Sequence, residues 1–320
     1  MTASRTATYA RAAAAAAGVL GVAALLTRAQ SRAAATRWPV VGRMVEVDGV
    51  ELQVLERGQG RPLVLIHGNG AMIEDWLASG LFDSLAAQYR VIAFDRPGCG
   101  HSSRPRSGDW SVEGQAALLS AACRQLGIEQ PVVLGHSLGT LVALAWALDF
   151  PDEVAALVLA SGYYYPTARV DALLSGVPAL PVIGEAMRHT ISPLLGHIQA
   201  PLVFKLIFSP GEVPERFKQG YPTSLSLRPL QLRATAADGA AMVAAAARLS
   251  QRYDELALPV GIVAGTGDKL VDFETHSARL ARDLPQASLH AAPRCGHMVH
   301  YQAHDSVLAA VDFASVGAPA

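Results

Sequence analysis

Residues Val132 to Leu148 read VVLGHSLGTLVALAWAL: an apolar run, a serine held between two glycines, then a second apolar run. The pentapeptide Gly135-His136-Ser137-Leu138-Gly139 has the form G-x-S-x-G. That form arises by chance in roughly one chain in ten of this length, so its surroundings must decide its meaning. A strand-to-helix turn that lifts a serine Oγ clear of the backbone is crowded, and it needs small residues on both sides. Gly135 and Gly139 supply them, Pro131 to Leu134 supplies the strand, and Leu138 to Phe150 supplies the helix, stopped by Pro151.

The same form recurs along the chain. RPLVLIHGNG (61–70), YRVIAFDRPGCGHS (89–102), VAALVLASG (154–162) and PVGIVAGTGD (259–268) each join a continuous apolar run to a glycine-rich loop. Strands buried on both faces of a parallel sheet read this way. Helical stretches lie between them, at Ser111–Gln125 behind a serine N-cap and at Asp272–Leu284 before Pro285. RMVEVDGVELQVLERG (43–58) alternates around Asp48-Gly49 and predicts a hairpin. The class is α/β with a mostly parallel sheet. The rhythm breaks from 162 to 253, where prolines are frequent and the strand period is absent. This segment reads as an inserted lid, mainly helical, with Ala234–Leu249 its clearest helix. The expected division is a leader (1–40), a first core part (41–161), the lid (162–253) and a second core part (254–320).

A serine is a weak nucleophile without a base. Asp268, at a strand end in AGTGDKLV, is the candidate carboxylate, with Asp272 in reserve. His297, in PRCGHMVHY, is the candidate base, and His300 is its competitor. Preceding Gly296 favours His297, because a glycine suits a loop that brings a ring close to another backbone. Two backbone N–H groups should face the developing oxyanion. Leu138, after the serine, supplies one; Asn69 supplies the other, ahead of Gly70. His67, Asp95 and Arg96 read as braces of their turns. Tyr163, Tyr164 and Tyr165 stand at the lid junction, either packed or offering a phenol to substrate. The lid's Leu, Val, Ile, Phe and Pro content points to an apolar pocket.

With HGNG, DRPGCGHS, GHSLG, GTGD and GHM in this order, the chain from about Met44 to Phe313 resembles the α/β-hydrolase family. The resemblance implies an eight-stranded sheet with helices on both faces, a lid after the sixth strand, a Ser137–His297–Asp268 triad, and neither cofactor nor metal. It implies a serine hydrolase acting through an acyl-enzyme, and the first expectation is a small to medium apolar ester. Carbon–carbon hydrolases and cofactor-free haloperoxidase-like enzymes keep the same triad and stay open. So does a membrane-tethered binding protein without turnover. Relatives of the dehalogenase and epoxide hydrolase type carry an aspartate nucleophile, which Ser137 disfavours.

Lys and Arg number 26 against 27 Asp and Glu, a balance with no electrostatic footprint for nucleic acid. The expected partner is a small-molecule substrate. Cys99, Cys123 and Cys295 lack metal-site spacing; a Cys99–Cys295 bridge or three free thiols are the options. Arg5 and Arg11 precede the apolar run Ala12–Leu26, Arg28, Arg32 and Arg37 follow it, and no acid appears before Glu46. This pattern predicts membrane association through 12–26, or export after signal cleavage.

Overall fold

The computed structural model describes residues 2–167 and 177–318. Its centre is one eight-stranded sheet in the order β1-β2-β4-β3-β5-β6-β7-β8. The strands are β1 (Arg43–Val47), β2 (Val50–Arg57), β3 (Pro62–Ile66), β4 (Arg90–Phe94), β5 (Val132–His136), β6 (Ala156–Ala160), β7 (Val260–Gly265) and β8 (Ala287–Ala292). β1 and β2 form the expected hairpin, with Asp48 and Gly49 both at positive φ, as a two-residue hairpin turn requires. β2 runs antiparallel to β4, and every later pairing is parallel. β5 and β6 are buried at every position, so their continuous apolar sequence follows from having no solvent face.

Helices cover both faces. Val112–Gln125 and Leu138–Asp149 enclose one core; Ile73–Ser79, Leu81–Ala86 and His304–Gly317 enclose the other. Leu138–Asp149 is buried from Leu138 through Leu148, so its sequence is apolar all round. Ser111 caps Val112–Gln125 by accepting the Gly114 N–H at 3.0 Å. The helix predicted at 272–284 is present as Glu274–Asp283; its first turn, Glu274–Ala278, is a π-helix and the rest, Arg279–Asp283, is α-helical. The three cysteines are free thiols.

Between β6 and β7 the described residues form the helices Ile183–His189, Ser192–Phe208, Glu215–Gly220, Thr223–Ser226 and Pro229–Leu249. The last begins five residues before the expected Ala234, because Pro229 suits the first helical position, where no N–H is needed. Asp238 on this helix ties it to the core. One carboxylate oxygen accepts from Arg96 at 2.7 Å and the other from Arg104 at 2.8 Å, all three side chains being almost fully buried. The apolar content of the segment does not all turn inward: Ile198 and Leu202 are 75% and 72% exposed. Leucine and isoleucine here are therefore no guide to a pocket. The leader is not detached from the fold either. It forms one helix, Thr2–Arg37, whose end packs against Ile183–His189 and Thr223–Ser226, with Thr27 and Ala34 buried.

His67 braces the loop after β3 against the loop after β4. Its Nδ1 donates to the Gly68 carbonyl at 2.8 Å and its Nε2 accepts the Arg96 N–H at 2.9 Å, which assigns a neutral ring. Burial, and then the neighbouring Arg96 charge, hold its pKa well below the ordinary histidine value.

Two predictions follow from these ties. Asp238→Asn leaves two buried guanidinium groups facing a neutral amide, and should cost on the order of 3 kcal/mol, read as a lower urea midpoint at unchanged slope. For His67, protons bind the unfolded chain but not the folded one below about pH 6.5, so its contribution to stability is full above that pH and is lost as pH falls. His67→Gln should therefore flatten the stability profile below pH 6.5 by about 1.4 kcal/mol per pH unit relative to wild type. Parallel profiles from urea titrations would show that His67 already titrates normally in the folded chain.

Candidate active site

The order of strands reverses between β3 and β5, since the chain leaves β3 for β4 on one side and later places β5 on the other. Ligands collect at the carboxyl ends of strands at such a point. Ser137 stands there, directly after β5, with φ 53° and ψ −120°. This backbone is strained for a residue with a side chain, and strain of this kind gathers at functional turns. The glycines on either side are sterically obligatory. A Cβ on Gly135 would lie 2.5 Å from the Gly139 carbonyl oxygen, and one on Gly139 would lie 2.2 Å from that of Ile66. The turn is pinned by its own backbone: Ser137 N–H donates to Ala160 O at 2.9 Å, and Thr140 Oγ donates to Ser137 O at 2.6 Å.

His297 follows β8 and Asp268 follows β7. The structure brings both to Ser137. His297 Nε2 lies 2.8 Å from Ser137 Oγ, and His297 Nδ1 lies 2.7 Å from Asp268 Oδ2. The other Asp268 oxygen accepts the N–H groups of Leu270 (2.8 Å) and Val271 (3.1 Å), which fixes the carboxylate. With Nδ1–H donating to Asp268, Nε2 is free to accept the serine proton. The reserve candidates go elsewhere. Asp272 accepts from the Thr275 N–H at 2.8 Å as a local turn. His300 Nε2 meets Asp75 at 3.1 Å, both fully buried.

Leu138 is the first residue of its helix, so its N–H has no carbonyl one turn back to bond. The loop carrying Asn69 flanks the serine: a Cβ on Gly68 would sit 3.1 Å from Ser137 Cβ. The Asn69 side chain donates to Thr235 O on the helix Pro229–Leu249 at 3.0 Å. The Gly70 carbonyl is occupied by Tyr221 Oη (2.7 Å) and Gln231 Nε2 (2.9 Å). The three tyrosines are buried. Tyr163 bonds Thr167, Tyr164 meets the Gly162 N–H, and Tyr165 donates to Asp283. Their bonds are structural ones around the lid junction.

Behind the histidine lies a set that sequence reasoning missed. Tyr301 Oη donates to Asp75 Oδ1 at 3.0 Å, beside the His300–Asp75 pair. His136 Nε2 donates to the His297 carbonyl at 3.1 Å, while His297 N–H donates to Ile207 O at 3.0 Å. His136 is kept neutral by burial first, and then by its histidine neighbours. Among the described residues, the ligand atoms of Asp75, His136 and His300 lie within 4.8 Å of one another, the spacing a metal would need. Asp75 pairs with His300 and Tyr301, while Nδ1 of His136 and Nδ1 of His300 are buried without a hydrogen-bond partner.

The model of the alpha/beta hydrolase fold family matches residues 61–303. The chain is 30% identical over 268 residues to 2-hydroxy-6-oxo-2,4-heptadienoate hydrolase of Pseudomonas putida, covering 82% of this chain and 91% of that protein. It is 30% identical over 275 residues to 2-hydroxymuconate semialdehyde hydrolase of a Pseudomonas species, covering 81% and 88%. Among solved structures, a bacterial membrane phospholipase A has a TM-score of 0.61 at 24% identity, covering 97% of this chain and 99% of that one; this is a likeness of fold. With its strand order, its family match and its hydrolase relatives, the chain belongs to the alpha/beta hydrolase family and is a hydrolase.

Proposed function

We propose that Ser137 is the nucleophile of this hydrolase and attacks a carbonyl carbon, and the observation that carries this reading is the unbroken line of hydrogen bonds from Ser137 Oγ through His297 to Asp268. In the proposed reaction, His297 takes the serine proton as the Oγ–carbon bond forms. The oxyanion is received by the N–H groups of Leu138 and Asn69. Its collapse breaks the bond to the leaving group, which takes the proton from His297. Water, activated by the same histidine, then releases the acyl group from Ser137. Asp268 orients the ring and stabilises its charged form.

For the bond cleaved, the carbon–carbon reading ranks ahead of the ester first expected. Its support is the relatives, several of which are named as hydrolases of hydroxy-oxo-dienoates or of hydroxymuconate semialdehyde. A carbon leaving group must depart as an enolate conjugated to a carbonyl, so the substrate would be an unsaturated ketone acid. One observation favours the ester as a second reading. Among the described residues the buried arginines are already paired, Arg96 and Arg104 with Asp238 and Arg188 with Glu185. None of these three is left to receive a substrate carboxylate.

The test is a pair of substrates, a 2-hydroxy-6-oxo-dienoate and a series of p-nitrophenyl esters. The expected result is kcat/KM at least tenfold higher on the dienoate; the opposite ratio installs the ester reading. Ser137→Ala should lose at least about 10³-fold on the better substrate. A serine variant that keeps its turnover would remove Ser137 as nucleophile. Asp268→Asn should lower kcat by up to about 10⁴-fold, whereas Asp272→Asn should leave it within twofold.

A further inference from the structure

The helix Ser192–Phe208 reads SPLLGHIQAPLVFKLIF, and its only ionisable residues are His197 and Lys205. One side of it belongs to the fold. Phe208 is buried with Phe217, Met298 and Tyr301, and Phe204 and Ile207 pack onto that cluster. The opposite side is just as apolar and faces outward. Leu194, Ile198, Leu202 and Leu206, spaced four apart, form an exposed row along it. A helix apolar on both sides is ordinarily enclosed by protein or by lipid, and this one is enclosed on one side only. The preceding helix Ile183–His189 continues the surface, with Val182 81% exposed.

A second apolar surface adjoins the first. The helix Thr2–Arg37 packs against Ile183–His189 and exposes Val19, Val22, Leu25 and Leu26. Of the 21 large apolar side chains most exposed among the described residues, 16 lie in these two segments, 2–37 and 180–206. The rest of the surface therefore does not share the property, and the concentration calls for a partner. The charge around the patch is mostly of one sign. No Asp or Glu occurs in 1–45 or in 186–211, while Arg28, Arg32, Arg37 and Lys205 are exposed there; the one acid within 180–206, Glu185, is paired with Arg188 and Arg106.

We propose that the outer face of Ser192–Phe208, with Val182–Ile183 and the apolar side of Thr2–Arg37, rests on an anionic lipid bilayer. Apolar side chains ringed by cations, with a single acid that is itself paired to arginines, match a surface of acyl chains beneath anionic headgroups. The lid helix lies in the interface and does not cross it, because its inner side is held to the core. Among the described residues no single helix is long and apolar enough to span, and the two lid helices that together reach that length and composition bend by 70°. The contact lies close to the catalytic histidine, since Ile207 at the end of this helix accepts the His297 N–H. The proposal goes beyond an N-terminal anchor, because it assigns the lid to the membrane as well. It does not depend on which bond the enzyme cleaves.

The test uses the full chain and sedimentation with vesicles of phosphatidylcholine, alone or with a quarter phosphatidylglycerol, titrated to find the lipid concentration for half-binding. Ile198→Ser/Leu202→Ser replaces two exposed side chains without adding charge, and circular dichroism checks the fold. The double variant should need about tenfold more lipid or greater, and wild type should bind the anionic vesicles more tightly at low salt than at 0.5 M. Equal half-binding concentrations for wild type and variant would overturn the lid's part. Absence of vesicle binding by wild type would overturn the whole proposal. So would a lipid-free dimer that the double variant abolishes without any change in vesicle binding, since a second copy would then cover the face.

Discussion

The approach of the helix Leu138–Asp149 to β3 is the constraint on which the remainder of the site is built. At Gly139 the helix backbone comes so near Ile66 that a methyl group would sit 2.2 Å from a carbonyl oxygen. Nothing but hydrogen fits, and the helix can therefore start immediately where β5 ends. That abrupt start puts Ser137 into its strained left-handed backbone, and it leaves the Leu138 N–H without an internal partner. The strain, the placing of the serine and the unbonded N–H thus share one cause. The cost, about 1–3 kcal/mol for such a backbone, is small beside the burial of eleven consecutive residues of the same helix. The local geometry persists because the packing over-determines it.

A second constraint lies in the loops around the serine. Each is tied to a different part of the chain by a buried polar group. His67 joins the loops after β3 and β4, Asp238 joins the lid to Arg96 and Arg104, and Gln231 reaches both Gly70 and Gly100. These bonds are individually modest, near 1 kcal/mol net for a neutral pair. Their effect is positional, because each removes a freedom that the loop would otherwise have. The segment between β6 and β7 is held to the core along its last helix and again where Phe208 and Phe217 pack on Met298 and Tyr301.

Much of this was legible in the sequence, for identifiable reasons. Runs such as LVLI and VVL must be buried on both sides, so strand identity followed from composition alone. Ser137, Asp268 and His297 each follow a strand and are marked by neighbouring glycines, so position in the motif carried the chemistry. The distinction between His297 and His300 rested on Gly296, and the geometry puts only His297 on Ser137. What stayed hidden was long-range and unmarked. Asp75 sits in a helix with no motif around it, and it meets His300 across 225 positions. The lid's leucines and isoleucines were read as pocket-forming, because apolar content does not tell which way a side chain faces. The helix at 272–284 is legible from its flanking Pro285, but the π-helical form of its first turn leaves no mark in the sequence.

The hydrogen bonds at His297 bear on how the lid can move. The residue is held at both ends of its backbone as well as through its ring: its N–H by Ile207 from the lid, its carbonyl by His136 from β5. A displacement of the helix Ser192–Phe208 at Ile207 would therefore displace His297 as well. Opening at that end would pull His297 away from Ser137 and Asp268. The other end is held by different contacts, with Ile183–His189 packed against Thr2–Arg37 and Pro229–Leu249. In Ile183–His189 only Gly184 and Arg188 are buried, whereas the Phe208 end is packed among Phe217, Met298 and Tyr301. Local opening takes place where few apolar contacts are lost. Any motion of the segment that leaves His297 in place must therefore keep the Phe208 end fixed, and the packing of Phe208 among Phe217, Met298 and Tyr301 does so.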